Sequence, residues 1–302
     1  MENRINIYAI IVTYNGMQWI ERCLQCLRES SVPITPIVID NNSSDGTCEY
    51  IPTMFPEAIW LPQKKNLGFG QANNIGFQYA LQHDAEYVLL LNQDAYLHKD
   101  AIHHLIQESD GNSLLSPIHL NGTGDSLDKM FRFLIKENDN TIIDDILTNK
   151  GLAPSYRIGR VSAACWFLPI SIIKSIGGFN PLFFHYGEDE NYLHRLTFHN
   201  IPTVLVTMAK VYHDRDIHGN VQVFNRKKLH RDILLIACNI NINIKTRIIQ
   251  YLRCLYECYA WNLPLKQYKP LAWTKEILWT IFHYKIISKS RSTEKNEYSS
   301  WL

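Results

Sequence analysis

Apolar residues in this chain fall into short unbroken runs, and the segments between them carry apolar positions at helical spacing. Residues 5–12 form the first run, which stops at the polar Thr13-Tyr14-Asn15-Gly16. Trp19, Ile20, Cys23, Leu24 and Leu27 then recur every three or four residues, the period of one helix face. A second run, residues 36–40, closes on Asp40, and Asn41-Asn42-Ser43-Ser44-Asp45-Gly46-Thr47 supplies a loop and a helix start with several capping side chains. Ile59-Trp60-Leu61 is a third run; residues 66–81 open with glycines and turn helical through Ala72, Ile75, Tyr79 and Ala80; residues 87–91 are the fourth run, entirely apolar after Tyr87. Strands alternating with helices at this spacing predict an α/β fold with a mostly parallel central sheet, right-handed crossovers and flanking helices.

Beyond residue 110 the alternation breaks. Residues 121–150 are polar, with Gly, Asp and Asn clusters, and predict a hairpin or a loop over the sheet edge. An apolar run resumes at 162–168, followed by a short helix over 170–176 that ends at Gly177-Gly178, a second helix over 188–199 and a last strand over 203–207. Three helices are expected after residue 225, over 226–240, 245–262 and 271–287, with Pro264 and Pro270 separating the last two. No internal repeat is visible. The expected division is a unit over 1–225 and a helical extension over 226–302.

Composition sharpens this division. The 302 residues are 46% hydrophobic, enough for a large core, and the net charge is only +1. Residues 1–225 nevertheless carry 16 Lys+Arg against 24 Asp+Glu, whereas residues 226–291 carry 13 against 3. A basic C-terminal third interleaved with Trp261, Trp273, Trp279, Phe282 and Tyr284 suits an anionic membrane surface, and a homodimer interface suits the same aromatics. No nucleic-acid partner is expected. Met1-Glu2-Asn3-Arg4 does not open a signal peptide, and no apolar stretch reaches the ~20 residues that span a bilayer, so a cytoplasmic location, peripheral at the inner membrane face, is expected. The seven scattered cysteines read as reduced thiols, and Cys23-x-x-Cys26 and the Cys254/Cys258 pair as small core residues.

The chemistry lies at the strand ends. Thr13-Tyr14-Asn15, Asp40-Asn41-Asn42 and Asn92-Gln93-Asp94 all follow apolar runs, and in a parallel sheet such ends share the edge where ligands bind. Asp40 suits either acceptance from a base or ribose, or a turn or helix cap. The glycines at 68, 70 and 76 do not match the dinucleotide fingerprint; they serve either close approach to a phosphate or ribose, or tight turns alone. Asp94 suits a divalent cation, Mg²⁺ or Mn²⁺, held mainly through substrate phosphates, and His213 is a candidate second ligand. Glu188-Asp189-Glu190 opens a helix after the aromatic Phe183-Phe184-His185-Tyr186; an apolar wall of that kind raises a carboxylate toward the range of a general base.

Taken in order, Ile10-Ile11-Val12-Thr13-Tyr14-Asn15, Val38-Ile39-Asp40-Asn41-Asn42-Ser43-Ser44-Asp45-Gly46-Thr47, residues 66–76, Asn92-Gln93-Asp94, Gly177-Gly178-Phe179-Asn180 and Tyr186-Gly187-Glu188-Asp189 resemble family 2 glycosyltransferases of GT-A fold, in particular bacterial rhamnosyltransferase-type members. The resemblance covers about residues 5–215. It implies that Thr13, Asn15 and Asp40 bind the nucleotide, that Asp94 holds a metal, that Asp189 is the base with Glu188 beside it, and that Arg195 approaches the donor. Tyr14, Asn42, Asn66, Gly68, Asn73, Asn92 and Gln93 complete the candidate donor-binding set. Asn92 stands where the first acid of the usual Asp-x-Asp would be, which leaves strict metal dependence open. The implied reaction is inverting transfer from a nucleotide-diphosphate sugar, thymidine- or uridine-linked with deoxythymidine diphosphate rhamnose slightly favoured, to a hydroxyl of a glycan or lipid-linked glycan. A nucleotide-binding oxidoreductase would need the missing glycine fingerprint, and a non-catalytic membrane scaffold would leave the decorated strand ends without a purpose.

Overall fold

The computed structural model describes residues 5–138, 141–215, 226–262, 270–296 and 301–302, with the side chains of 136–138, 226–227, 258–262 and 270–273 outside that description. The first part runs β1 (Ile7–Thr13), α1 (Ile20–Arg28), β2 (Thr35–Asp40), α2 (Thr47–Met54), β3 (Ile59–Pro62), α3 (Phe69–Gln82), β4 (Tyr87–Leu91), β5 (Ala95–Leu97), α4 (Ala101–Gln107) and β6 (Leu114–Asn121). It continues with α5 (Lys129–Asn138), α6 (Thr141–Leu147), β7 (Ser155–Arg157), β8 (Cys165–Pro169), α7 (Ile170–Ile176), α8 (Glu188–Phe198) and β9 (Thr203–His213). Four helices follow: α9 (Arg226–Cys238), α10 (Ile244–Asn262), α11 (Pro270–Phe282) and α12 (Tyr284–Lys295).

One sheet in the order β3-β2-β1-β4-β8-β6-β9-β5, with β7 beside β9, organises the molecule. Its first four strands are parallel, as the apolar runs predict. The second half is mixed: β8 runs antiparallel to both β4 and β6, and β6 runs parallel to β9. Successive strand residues point to opposite faces, and the core divides accordingly. Ile10, Ile37, Ile39, Val88 and Leu90 face a cluster with Phe77, Trp166 and Phe179, while Ile7, Ala9, Ile11, Val38, Leu89 and Leu91 face another with Ile20, Leu24 and Phe167.

The polar excursion expected to be a hairpin or loop contains two helices, α5 and α6, because Phe131, Leu134 and Ile142 form a buried helical stripe beneath an otherwise hydrophilic surface. The single helix expected over 271–287 is two, parted at His283. The boundary expected at 225 falls within 216–225, outside the described residues.

The C-terminal helices pack against the segment that leads into α8. Phe183 joins Leu234, Leu235, Cys238 and Ile287 in one cluster, and Leu229, Ile233 and Leu255 form another. Leu302 returns to the main core cluster. Among the described residues no helix is long and apolar enough to cross a membrane.

Candidate functional site

The strand ends meet as the parallel register requires. Thr13 lies opposite Asp40, and the Asn41 N–H donates to Thr13 O at 2.8 Å. Gln93 joins the end of β4 to that of β1: its Oε1 accepts from Thr13 Oγ1 at 2.7 Å and from Tyr14 N at 3.0 Å. Thr13 is buried, so it and Gln93 shape the mouth, while Tyr14, Asn15 and Asn42 stand exposed on its rim. Asn15 and Asn42 both have positive φ, 49° and 67°, a conformation asparagine tolerates better than other side chains. Asn15 ties two loops, donating its N–H to Ser43 Oγ and accepting from Ser44 N, each at 2.9 Å.

Other candidates are engaged by neighbours within the protein. Asp40 is fully buried and accepts from Ser43 N at 3.0 Å, from Ser43 Oγ and from the Cys48 thiol, the geometry of a turn. Asn73 donates to Phe69 O at 2.9 Å within α3, and Asn66 Oδ1 accepts from Gly68 N at 2.8 Å. Arg195 is not brought to the donor side. It is fully buried, donates to Gly178 O and lies over the Trp301 ring, because its position on α8 turns it toward the C-terminal segment.

Gly68 is needed for close approach. At φ 80°, a Cβ would stand 2.0 Å from Phe184 O, so the start of α3 and the aromatic segment before α8 approach too closely to admit a side chain at residue 68. The expected aromatic wall is divided: Phe183 is buried, whereas Phe184 and Tyr186 are exposed.

Asp94 and His213 converge. Antiparallel pairing sets His213 opposite Ala95, Asp214 N donates to Asp94 O at 2.8 Å, and His213 Nε2 lies 3.4 Å from Asp94 Oδ1. Two ligands each about 2.1 Å from one cation lie roughly 3–3.5 Å apart, so the spacing suits a divalent metal, and Nε2 becomes a ligand only with the ring proton moved to Nδ1. No third metal-ligating side chain joins them among the described residues, which leaves the remaining positions to phosphate oxygens and water. Arg215 stands behind the imidazole: its Nε donates to His213 Nδ1 at 3.2 Å, which puts the neutral ring's proton on Nε2, facing Asp94, and it reaches the buried Asp128 carboxylate at 3.1 Å. Asn92 Oδ1, two residues before Asp94, is buried without a hydrogen-bond partner among the described residues.

The acidic helix start reaches the same edge. β8 begins where β4 ends, and Asn92 N donates to Ala164 O at 3.0 Å. The neighbouring Ala163 N–H faces the half-buried Asp189 carboxylate and lowers its pKa. Desolvation raises the Asp189 pKa, the Glu190 charge adds to it, and the N–H groups of Glu190 and Ala163 temper it. Burial pushes Glu188 up to about 8, helped by the charge of Asp189, and its Oε2 is buried without a partner. Burial thus raises both carboxyls of the pair. Glu190 is engaged by Arg160 at 2.8 Å. Burial raises the thiols of Cys23, Cys26 and Cys165, which are unreactive core residues.

The Glycosyl transferase family 2 profile matches residues 8–160. The chain belongs to that family. This glycosyltransferase is 24% identical over 231 residues to the N-acetylglucosaminyl-diphospho-decaprenol L-rhamnosyltransferase of Mycobacterium tuberculosis, covering 68% of the chain and 75% of the relative. It is 22% identical over 302 residues to the dTDP-rhamnosyl transferase RfbF of Shigella flexneri, covering 97% of the chain and 90% of the relative. Among solved structures, TarS 1–349 of S. aureus in complex with UDP-GlcNAc superposes with a TM-score of 0.59 at 15% identity, covering 96% of the glycosyltransferase and 90% of that fragment. The glycosyltransferase spans 43% of the longer TarS chain. The structural likeness establishes the GT-A fold.

The roles of Asp128 and Arg215 behind His213 carry no signal in the sequence, because neither lies at a motif spacing.

Proposed function

We propose that this glycosyltransferase moves L-rhamnose from its deoxythymidine diphosphate donor to a hydroxyl of a lipid-linked glycan, with inversion and with Asp189 as general base. The observation that carries this reading is the meeting of Asp189 and the Asn92-Gln93-Asp94 strand end through the adjoining Ala163 and Ala164. The names of the two relatives support the choice of sugar, and that of the mycobacterial one supports the acceptor class.

In this reading Tyr14, Asn15 and Asn42 receive the nucleotide at the rim, and Asn92 Oδ1 accepts a donor hydroxyl. Asp94 would hold a divalent cation, joined by His213 once the Arg215 contact gives way and the ring proton moves to Nδ1; the cation when bound would neutralise charge developing on the departing diphosphate. The acceptor hydroxyl gives its proton to Asp189 as its oxygen attacks the anomeric carbon from the face opposite the diphosphate. The test is incubation with a panel of nucleotide sugars and a short-chain N-acetylglucosaminyl-diphospholipid. Release of dTDP only with dTDP-L-rhamnose is expected, and release from another donor alone overturns the sugar assignment.

The C-terminal helices support peripheral membrane contact. α10 exposes Ile244, Ile248, Ile249, Leu252 and Tyr256 beside the exposed Lys245 and Arg253, and α11 and α12 expose Leu278, Ile281, Phe282, Tyr284 and Ile286 beside Lys285 and Lys289. Trp279, half-buried, stacks on His283 at 4.2 Å and so packs inward; the side chains of Trp261 and Trp273 lie outside the described residues. Sedimentation with anionic but not neutral vesicles, abolished by Ile248→Glu with Leu252→Glu, is expected. A concentration-dependent dimer with no vesicle binding assigns this face to a second copy instead.

A further inference from the structure

Helix α8 is held on two sides. Its first turn delivers Glu188 and Asp189 to the mouth of the sheet. Its opposite side carries Asn191, Arg195 and, at the C-terminal cap, His199, a four-residue spacing that forms one stripe. Asn191 stands two residues beyond Asp189, about 200° around the helix, so the two side chains point to nearly opposite sides. Every member of the stripe meets the C-terminal segment. Asn191 Nδ2 donates to Glu294 Oε1 at 2.9 Å, His199 Nε2 lies 2.9 Å from Glu294 O, and the Arg195 guanidinium is 4.7 Å from the centre of the Trp301 ring.

Glu294 is fully buried on α12, far along the chain from the motifs; burial raises its carboxyl, and Asn191, Asn180 and the charges of Arg195 and Arg291 temper that rise. Its Oε1 accepts a second amide, Asn180 Nδ2, at 2.7 Å, and Asn180 also donates to Ser290 Oγ at 2.7 Å. Asn180 belongs to the Gly177-Gly178-Phe179-Asn180 turn, whose Phe179 packs against the glycine-rich start of α3, 2.9 Å from where a Gly70 Cβ would be. One carboxylate oxygen therefore ties the helix that carries the base to the turn that supports the donor side. A carboxylate so deeply buried is costly to maintain, and a leucine or methionine would fill the same volume at less cost.

We propose that Glu294 is a positioning residue for glycosyl transfer, fixing through Asn191 the rotation of α8 and thereby the place of the Asp189 carboxylate. The proposal rests on the reading of Asp189 as the base. It also makes the C-terminal extension part of the catalytic unit, because the acceptor for Asn191 is supplied from α12. A misplacement of about 1 Å is enough to slow a reaction on the order of 10²-fold.

The test measures dTDP release from dTDP-L-rhamnose with the short-chain acceptor, on the full chain, well below the Tm of each variant. If the parent protein turns over another donor in the panel, that donor serves the same comparison. Glu294→Ala and Asn191→Ala are expected to lower kcat at least about tenfold with the donor KM within about twofold. Glu294→Gln, which keeps an oxygen acceptor, is expected to restore most of kcat. A folded Glu294→Ala variant with parental kcat overturns the proposal, as does a Gln variant as slow as the Ala variant. Should Glu294→Ala fail to fold, parental kcat in Asn191→Ala overturns it. Asp189→Asn separates the two readings. Retained turnover in that variant removes Asp189 as the base, whereas its inactivity beside a fully active Glu294→Ala removes only the positioning role.

Discussion

Replacing Gly68 with alanine should damage both stability and turnover, by amounts the backbone sets. Gly68 has φ 80° and ψ 173°, a region essentially reserved for glycine. A side chain there costs about 1–3 kcal/mol in backbone strain alone, and at ~2–4 °C per kcal/mol for chains somewhat shorter than this one the Tm should fall by several degrees. The added methyl carbon would also stand 2.0 Å from Phe184 O, where side-chain carbons do not approach within 3.0 Å, so the two segments must part by about 1 Å. Phe184 lies in the turn that feeds α8, so the displacement passes to Asp189. A shift of that size predicts a kcat lower by about 10²-fold. A thermal melt and the dTDP-release assay read the two effects separately. A Gly68→Ala variant that melts within about 1 °C of the parent and turns over within twofold would refute the close-approach argument.

Asp189→Asn should lower kcat on the order of 10²–10⁴-fold, with nucleoside diphosphate binding retained by calorimetry; parental turnover in the folded variant would eliminate Asp189 as the base. Asp94→Ala should abolish any enhancement of dTDP binding by Mn²⁺, read by calorimetry with and without the metal, and equal enhancement in both proteins would place the ligand elsewhere. Glu188→Gln should change the pH dependence of stability. The carboxyl's folded-state pKa is raised to about 8 from 4.5, so its stabilising contribution is complete below about pH 4.5 and lost as pH rises toward 8. Relative to the parent, the variant should gain stability across that window, by at most about 5 kcal/mol at ~1.4 kcal/mol per pH unit; urea melts that stay parallel from pH 5 to 8 would contradict this.

The four parallel strands were legible because each is an unbroken apolar run, and the position of the candidate site followed because each run ends in polar side chains. The rest was hidden for identifiable reasons. β6 is interrupted by Pro117 at a register shift and by Ser116 and His119, so it lacks the apolar signature of its neighbours. α5 and α6 bury only a few apolar positions under a polar surface. Asp94 was legible from the strand it ends, whereas its pairing with His213 depends on β9 running on to residue 213, past the residue 207 at which the apolar run was expected to stop. Arg195 shows the opposite failure. The family resemblance implied an approach to the donor, but the residue's helical phase points it at Gly178 and Trp301. Asn191 and Glu294 are a hundred residues apart in the chain, and no spacing rule links them.

The placement of β8 between β4 and β6 has a consequence for how the chain is made. β4 pairs with β1 on one side as soon as both exist, but its other side waits for β8, whose first residue lies about seventy residues later. At ribosomal rates of roughly 5–20 residues per second, that edge stands open for about 4–15 seconds while the α5–α6 excursion is synthesised. The waiting strand is Tyr87–Leu91, nearly all aliphatic and without a charge or a proline to discourage a foreign partner. A nascent chain or a truncated product ending between residues 92 and 164 therefore presents a sticky, unpaired ladder at the centre of what should become the sheet. Slow translation or early termination within this stretch should drive this protein toward aggregates, whereas a product long enough to include β8 closes that edge.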